Sequence, residues 1–322
     1  MKAFVTGLDG FAGQWLAREL IAAGADVAGG SRVALPSYSI LSQTEAGALG
    51  WFGFELTDRE SVERALAGAR PDTVFHLAAQ ASVSESIADP VATYETNVVG
   101  TAMLLESIAT VTPDATVVCV GSADAYGPVK PEELPLRETA ELRPTNPYAA
   151  SKTAAESIAM QYARSARLRV IATRSFNHTG PGQRPAFAVP AFAKQIADIA
   201  IGSAPPVLRV GNLDARRDLS DVRDVVRAYR LLAERGESGV AYNVCSGSSV
   251  SMRSIVDRLV SIAGINVTIE IDPQRLRPSD TPELVGDNSR LCEMTGWTRQ
   301  IPLEQTLRDV YSWYAAKGTN AR

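Results

Sequence analysis

A tyrosine and a lysine stand four positions apart in NPYAASK, residues 146–152. Asn146 and Pro147 are typical of a helix start, because proline suits the first helical turn. Tyr148 and Lys152 then fall on one face of the predicted helix. A nearby ammonium group favours the phenolate, which would make Tyr148 a proton donor or acceptor near neutral pH. The alternative is an ordinary pair of side chains on a helix surface.

A second candidate group lies in GSADAYG, residues 121–127, which follows the apolar run ATVVCV. Ser122 can hydrogen-bond a substrate oxygen that Tyr148 protonates, in reduction and oxidation alike. Asp124 lies two positions further and either positions a substrate or caps a turn. The sequence alone leaves both uses of Asp124 open.

Three glycines, Gly7, Gly10 and Gly13, form TGLDGFAG between the first predicted strand and the first predicted helix. Small residues there let the backbone approach a pyrophosphate at the positive helix N-terminus. Such spacing also occurs in ordinary turns, but the strand-turn-helix setting is the one that a dinucleotide-binding site requires. We therefore expect a dinucleotide cofactor.

The end of the second predicted strand bears on which dinucleotide binds. An acidic residue at this point accepts a hydrogen bond from the free ribose 2′-hydroxyl of NAD. Here the strand ends in Gly29-Gly30-Ser31-Arg32. A serine and a guanidinium suit a 2′-phosphate better, so NADP (NADPH) is favoured. NAD is the alternative cofactor, and Arg32 could instead be a solvated loop charge.

Short β-rich runs alternate with amphipathic helical stretches along the first half of the chain. The runs include KAFVT, ADVAGG, DTVFHLAA, ATVVCVGS and LRVIATRSF. This alternation predicts an α/β fold in which a doubly wound, Rossmann-type parallel sheet is covered by helices on both faces. That sheet must place the glycine turn, Ser122 and the Tyr148 helix together.

The alternation of predicted strands and helices becomes less regular after Ser175. Stretches rich in Gly, Pro and Arg, HTGPGQRPAFAVP and APPVLRVGNLDARRD, predict loops of a smaller, discontinuous C-terminal substrate lobe. The stretch AYNVCSG predicts a return to the main sheet. We therefore expect the NAD(P)-binding Rossmann domain over residues 1–174 and 220–246, and the substrate lobe over 175–219 and 247–322.

The composition excludes several classes of function. The formal net charge of −4 argues against a nucleic-acid-coating protein and favours a small-molecule partner. The two histidines are expected to be structural, and with three widely spaced cysteines they predict no metal site and no disulfide framework. The apolar runs are too short to span a bilayer, and MKAFVTGLDG lacks the pattern of a secretory signal. We expect a cytoplasmic protein without a membrane partner.

Taken together, the motifs resemble those of the extended short-chain dehydrogenase/reductases that act on nucleotide sugars, the NAD-dependent epimerase/dehydratase family. The resemblance covers nearly the whole chain. The stretches that carry it are TGLDGFAG, HLAAQ at 76–80, GSADAYG, NPYAASK, RSFNHTGPGQ at 174–183, RRDLSDVRD at 216–224, YNVCSG at 242–247 and RPSD at 277–280.

The resemblance implies a role for each matching residue. The catalytic triad is Ser122, Tyr148 and Lys152. The implied cofactor-binding residues are Gly7, Gly10, Phe11, Ala12, Gly13, Ser31, Arg32, Glu55, Leu56, Leu77, Ala78, Ala79, Tyr148, Lys152 and Phe176. The implied substrate-binding residues are Gln80, Ser122, Asp124, Tyr148, Asn177, Arg217 and Arg277. The two arginines would clamp a diphosphate, although each could equally be a surface charge. Glu55 departs from the more usual Asp.

Within the family, NHTGPGQ, RDLSDVRD and YNVCSG are similar to reductases of GDP-linked sugars. This similarity implies NADPH-dependent reduction of the 4-keto group of a GDP-4-keto-6-deoxyhexose to GDP-D-rhamnose. The alternatives are a GDP-mannose 4,6-dehydratase and another nucleotide-sugar dehydratase or 4-epimerase. Such a dehydratase usually has a more basic ESPRR-type sequence in place of TGPGQ, and Glu in place of Asp124. Aspartate is shorter by roughly 1.5 Å, which disfavours proton transfer at C5.

Two further expectations concern partners. The resemblance implies a homodimer built on the helices of residues 92–109 and 148–165. A hypothesis of another functional class is a regulator that binds NADP without catalysing a reaction. The intact set of Ser122, Tyr148 and Lys152 disfavours it, because a pure sensor needs no proton donor.

Overall fold

The structure is a computed structural model that describes residues 1–34, 36–275 and 281–320. Within these residues the chain forms thirteen strands: β1 Lys2–Thr6, β2 Asp26–Ser31, β3 Gly50–Gly53, β4 Thr73–His76, β5 Thr116–Ser122, β6 Arg169–Ser175, β7 Asn177–Thr179, β8 Val207–Val210, β9 Arg216–Asp221, β10 Ala241–Val244, β11 Ser249–Ser251, β12 Thr268–Ile271 and β13 Glu283–Leu284. The same residues form twelve α-helices: α1 Phe11–Ala22, α2 Gln43–Gly47, α3 Arg59–Ala69, α4 Val83–Ala88, α5 Pro90–Tyr94, α6 Gly100–Val111, α7 Pro147–Arg164, α8 Ala188–Ala200, α9 Val222–Arg235, α10 Met252–Ala263, α11 Ser289–Thr295 and α12 Leu303–Asn320.

Seven of the described strands form one parallel sheet in the order β3-β2-β1-β4-β5-β6-β10. This order is the doubly wound Rossmann arrangement, so the predicted fold class is confirmed. Strand β10 pairs with β6, with Ala241 opposite Ala172, which confirms the predicted return of AYNVCSG to the main sheet. The edge strand β3 was not predicted, because GWFG is short and carries two glycines.

Apolar side chains cover both faces of this sheet. On one face α1 and α9 contribute Leu16, Leu20 and Leu232, all 0% exposed. On the other face α3 and α6 contribute Leu66 and Leu104, also 0% exposed, and α7 packs beside them. Because both faces are buried, the central strands are almost continuously apolar, as in other parallel sheets.

A second region contains the short strands. Strand β9 pairs with β7, β11 and β13, and β8 pairs with β12. Helices α8, α10 and α12 pack with these strands around a separate apolar cluster. The loop prediction is therefore wrong for VLRV, which forms β8, and α8 begins inside the other predicted loop.

The predicted domain boundaries stay a prediction. Helix α9 and strand β10, within 220–246, pack with the central sheet. Helix α11 lies in the segment assigned to the substrate lobe, yet it packs against α9 and β10.

Two further properties bear on function. Among the helices of the described residues, none combines the length and the apolar character of a membrane span. In that same part of the chain, His, Cys, Asp and Glu side chains form no group of three or more that could hold a metal ion.

An ion pair inside the protein joins α7 to the central sheet. Glu156 of α7 and Arg174 of β6 are 8% and 7% exposed, and Arg174 Nη2 lies 2.7 Å from Glu156 Oε1. Arg174 Nη1 donates to the Tyr126 hydroxyl at 3.1 Å and to the Glu138 carbonyl at 2.9 Å. Removal of either partner would leave an uncompensated buried charge.

We predict that Glu156→Ala lowers the free energy of unfolding by about 3–5 kcal/mol, because Arg174 would then be buried without its carboxylate. The control is Glu304→Ala, which breaks the exposed Glu304–Arg308 pair on α12 and should cost less than about 1 kcal/mol. Urea unfolding at neutral pH measures both values. Similar losses in the two variants would contradict the prediction.

Candidate active site

The predicted site residues that the structure describes lie mainly at the carboxyl edge of the central sheet. The glycine turn follows β1, Arg32 follows β2, Ala78 and Ala79 follow β4, and Ser122 ends β5. In open α/β sheets, ligands bind at this edge, where the strand order reverses. Here that reversal falls between β1 and β4.

The glycine turn has the geometry of a phosphate cradle. Gly7 has a φ of +70°, and a Cβ on Gly13 would lie 2.2 Å from the Gly7 carbonyl oxygen. Helix α1 begins at Phe11, and its N-cap residue, Gly10, offers no side-chain cap. The first backbone amides of α1, those of Phe11 and Ala12 among them, therefore face outward at the positive end of the helix. These residues fit a pyrophosphate.

The end of β2 presents a cation. Ser31 is the last residue of β2, and Arg32 is exposed. Arg32 forms no hydrogen bond or ion pair with any residue in the described part of the chain. After β3, Leu56 is buried, and Ser61 Oγ holds Glu55 by donating to its carbonyl at 3.1 Å. The Arg32 guanidinium is thus available for an anionic group.

A threonine in β1 fixes the backbone that follows β4. Thr6 Oγ1 accepts from the amides of Leu77 and Ala78 at 3.1 and 3.0 Å, and lies 2.9 Å from His76 Nδ1. His76 Nε2 lies 2.9 Å from Thr101 Oγ1, and Thr101 itself donates to a backbone carbonyl. His76 must therefore donate through Nε2 and accept through Nδ1. The sequence reasoning missed Thr6, whose place in a buried strand gave no sign of this role.

Burial, together with the smaller effect of the nearby Lys152 charge, lowers the pKa of His76 to about 3. The ring is therefore neutral, as the hydrogen-bond directions require. The expectation that this histidine is structural agrees with its place in the network.

Asn97 links the segment after β4 to α7. It lies in a π-helical turn, Glu95–Val99, between α5 and α6. Its Nδ2 donates to Ser151 Oγ at 2.9 Å and to the Gln80 carbonyl at 3.0 Å. Ser151 in turn donates to the Tyr148 carbonyl at 2.7 Å. Helical periodicity cannot reveal a π turn. The one available signal was an asparagine inside an apolar helical stretch.

The predicted triad comes together at the ends of β5 and α7. Helix α7 begins at Pro147, and Asn146 Oδ1 accepts from the Ala149 amide at 2.9 Å, which confirms the predicted helix start. Ser122 Oγ accepts from the Asp124 amide at 3.2 Å, so Ser122 caps the turn that follows β5. The Ser122 side chain lies close enough to the Tyr148 hydroxyl to lower its pKa.

The electrostatics of Tyr148 differ from the expectation. Burial raises its pKa, the charge of Asp124 raises it further, and the hydrogen bond with Ser122 lowers it. Lys152 is 9% exposed, and its Nζ donates to the Val120 carbonyl at 2.8 Å. The ammonium thus contacts β5, and the expected lowering of the Tyr148 pKa is not observed. Burial also lowers the pKa of Lys152 itself.

The predicted substrate residues are more widely spread. Asn177 begins β7 and is exposed, whereas the Phe176 side chain is buried in an apolar cluster. Gln80 Nε2 donates to the Ser82 carbonyl at 2.9 Å. Arg217 lies in β9 and donates to the Thr281 carbonyl at 2.8 Å. Arg277 lies outside the described residues, so the diphosphate clamp stays a prediction.

A Rossmann sheet with a glycine turn and a Ser-Tyr-Lys set at its carboxyl edge defines an NAD(P)-dependent short-chain dehydrogenase/reductase. The sequence model of one family, described as GDP-mannose 4,6 dehydratase, matches residues 4–310. The chain belongs to this family.

Individual relatives match along almost the whole chain. The GDP-6-deoxy-D-mannose reductase of Pseudomonas aeruginosa is 37% identical over 97% of this chain and 96% of its own. A GDP-mannose 4,6-dehydratase of Vibrio cholerae is 29% identical over 94% of this chain and 91% of its own. The solved structure of RMD from Pseudomonas aeruginosa complexed with NADPH has a TM-score of 0.85 and 33% identity, covering 98% of this chain and 99% of that one. The UDP-glucose 4-epimerase of Thermus thermophilus, in complex with NAD, has a TM-score of 0.85 and 31% identity, with the same coverage of both chains.

The raised pKa of Tyr148 gives a testable titration. In the cofactor-free protein, the phenolate absorbance that Tyr148→Phe removes should appear only above the ordinary phenol pKa of 10.0. Asp124→Asn removes a negative charge, so it should move this midpoint to lower pH. Difference absorbance in the near ultraviolet measures both. A wild-type midpoint below the ordinary value would contradict the geometry of the site.

Proposed function

We propose that the protein uses NADPH to reduce the 4-keto group of a GDP-4-keto-6-deoxyhexose, giving GDP-D-rhamnose. The observation that carries this proposal is the 37% identity with a GDP-6-deoxy-D-mannose reductase over 97% of the chain. The protonation state of the site supports it. Reduction of a ketone consumes a proton, and the raised pKa keeps Tyr148 in the protonated form near neutral pH.

The glycine turn and Arg32 would hold NADPH, which would supply the hydride for the carbonyl carbon of the sugar. Tyr148 gives its phenolic proton to the carbonyl oxygen, and Ser122 hydrogen-bonds the same oxygen and fixes its direction. Lys152 Nζ donates to the Val120 carbonyl, so its ammonium would have to move toward Tyr148 to offset the negative charge left there. One hydride and one proton together convert the ketone to the alcohol, and solvent returns a proton to Tyr148.

The cofactor is assigned from the cradle and the cation beside it. The turn from Gly7 to Gly13 holds the pyrophosphate at the start of α1. Arg32 holds the 2′-phosphate of NADPH through charge-assisted hydrogen bonds. The NADPH in the solved structure of RMD from Pseudomonas aeruginosa supports this assignment.

The substrate is assigned to the surface between the carboxyl edge of the central sheet and the region around β9. Gln80, Asp124 and Asn177 would contact the sugar. Arg217 and Arg277 would bind its diphosphate, because guanidinium groups match phosphate geometry.

Arg32→Ala should weaken NADPH binding by about ten- to a hundredfold, because it removes a charged hydrogen-bond donor to the phosphate. NADH binding should change little, since NADH lacks that phosphate. Arg64→Ala serves as the control, because it removes a surface arginine of α3. Titration of cofactor fluorescence gives both dissociation constants. Equal weakening of NADPH and NADH would argue against a phosphate contact.

The reductase and the dehydratase predict different assays. A reductase oxidises added NADPH in step with GDP-4-keto-6-deoxymannose and leaves GDP-mannose unchanged. A dehydratase returns its hydride to the same sugar, so it converts GDP-mannose without added NADPH. The reductase is expected here, with TGPGQ in place of the more basic loop and Asp124 in place of Glu.

Mass spectrometry of the products, with and without NADPH, decides between the two activities. Tyr148→Phe should lower the rate of reduction by at least about a hundredfold, because it removes the proton donor. Conversion of GDP-mannose without NADPH would show that the protein is a dehydratase and not a reductase. Binding of NADP without turnover of any nucleotide sugar would favour the regulator instead.

We also infer a homodimer that works in the cytoplasm, where NADPH is available. Four large apolar side chains are exposed close together in sequence, on α4, α5 and the π turn. They are Ile87, Val91, Tyr94 and Val99. Two of them lie in the 92–109 segment expected to form the interface. Burial of these side chains against a second copy would remove apolar surface from water.

A further inference from the structure

The loop after β2 folds back over the first helix. It runs from Arg32 to the start of α2, and Leu35 lies outside the described residues. Near its start, Trp51 Nε1 donates to the Ala34 carbonyl at 3.2 Å. Near its end, the Tyr38 ring meets the Trp51 ring edge-on, with centroids 6.3 Å apart. Ala34 and Tyr38 of this loop are thus both in contact with Trp51.

One side chain joins this loop to the glycine turn. Gln14 of α1 is 4% exposed. Its Oε1 accepts from the amides of Ser39 and Ile40 at 2.9 and 3.0 Å. Its Nε2 donates to the Asp9 carbonyl at 2.9 Å. A single buried amide thus connects the backbone expected to hold the pyrophosphate with the loop expected to hold the 2′-phosphate.

The far end of the loop has a second attachment. Arg18, one helical turn beyond Gln14, donates to the Ile40 carbonyl and to both carboxylate oxygens of Glu45. Glu45 accepts from the Ser42 amide at 2.7 Å, which fixes the start of α2. Arg18 therefore holds the loop from the Ile40 carbonyl to Glu45. The amides of Ser39 and Ile40 depend on Gln14.

We propose that Gln14 is a positioning residue for cofactor choice: through the amides of Ser39 and Ile40 it holds this loop against α1, so that Arg32 is positioned to bind the 2′-phosphate of NADPH. The proposal rests on the proposed use of NADPH. NADH has no 2′-phosphate for Arg32 to bind, so its binding should depend on Gln14 far less. Gln14 acts through the loop, because its side chain is 4% exposed and its amide group bonds to protein backbone.

Gln14 bonds both to the glycine turn and to the loop, but the turn is also held by backbone hydrogen bonds. The Gly7 amide donates to the Gly30 carbonyl at 2.8 Å, and the Gly10 amide donates to the Gly7 carbonyl at 3.0 Å. The turn should therefore keep its shape when the bond from Gln14 to Asp9 is lost. Loss of Gln14 should mainly affect the loop, which would lose its bonds at Ser39 and Ile40 but keep its contacts with Trp51 and Arg18.

The test substitutes methionine, which matches the shape of glutamine and lacks its hydrogen bonds. Gln14→Met should raise the dissociation constant of NADPH about tenfold, because two hydrogen bonds to the loop are lost. The dissociation constant of NADH should change by less than about twofold, well below the tenfold change that corresponds to the loss of an interaction of this size. Without cofactor, hydrogen exchange at the amides of Ser39 and Ile40 should be faster than in the wild type, and NADPH should slow it again.

A matched control is present elsewhere in the chain. Gln195 of α8 accepts from the Arg209 amide at 3.0 Å and donates to the Arg209 carbonyl at 3.2 Å, in the region around β8. Gln195→Met removes the same kind of side-chain bonds away from the cofactor site. It should leave both dissociation constants unchanged.

The outcomes separate this inference from the proposed function. A wild-type protein without preference for NADPH would refute the proposed cofactor. A wild-type preference that Gln14→Met leaves intact would overturn the role of Gln14, as would equal weakening of NADPH and NADH. If circular dichroism shows that the methionine variant is unfolded, Gln14→Asn decides. Its shorter amide falls short of the loop by about one carbon–carbon bond, so its NADPH preference should also fall.

Discussion

The position of α7 against β5 and β6 is the constraint on which the active site depends. Tyr148, Lys152 and Glu156 follow one another at intervals of four residues, so they lie along one face of that helix. Lys152 contacts the Val120 carbonyl of β5, and Glu156 contacts Arg174 of β6. A shift of α7 that moved the Tyr148 hydroxyl away from Ser122 would therefore also strain both contacts.

The same constraint explains a glycine beside Ser122, the proposed catalytic serine. A Cβ on Gly121 would lie 2.4 Å from the Thr173 carbonyl oxygen and 3.7 Å from Glu156 Oε2. The strand that ends at Ser122 is therefore packed closely between β6 and the carboxylate of the buried pair. Stability and catalytic geometry are coupled here, because the groups that hold α7 in place also border Ser122.

The sequence predicted what local rules control. Asn146 and Pro147 marked the start of α7, and the glycine spacing marked the turn before α1, because caps and tight turns depend on adjacent residues. Contacts between distant elements were not predictable. Periodicity places Glu156 on the inner face of α7 but does not name Arg174 as its partner. Likewise, no local signal connects Gln14 with Ser39, and the π turn around Asn97 departs from the spacing that helix prediction assumes.

The least predictable feature was the protonation state of Tyr148. The spacing of Tyr148 and Lys152 suggested that the ammonium would favour the phenolate, yet spacing does not say where a long side chain points. Lys152 Nζ bonds to the Val120 carbonyl, and Asp124, a residue of the neighbouring turn, supplies the charge that Tyr148 feels. Burial is the largest effect that raises the pKa of Tyr148, and the Asp124 charge adds to it, so the phenol is protonated near neutral pH. The site therefore holds a proton donor before any ligand arrives, which is the state that reduction of a ketone requires.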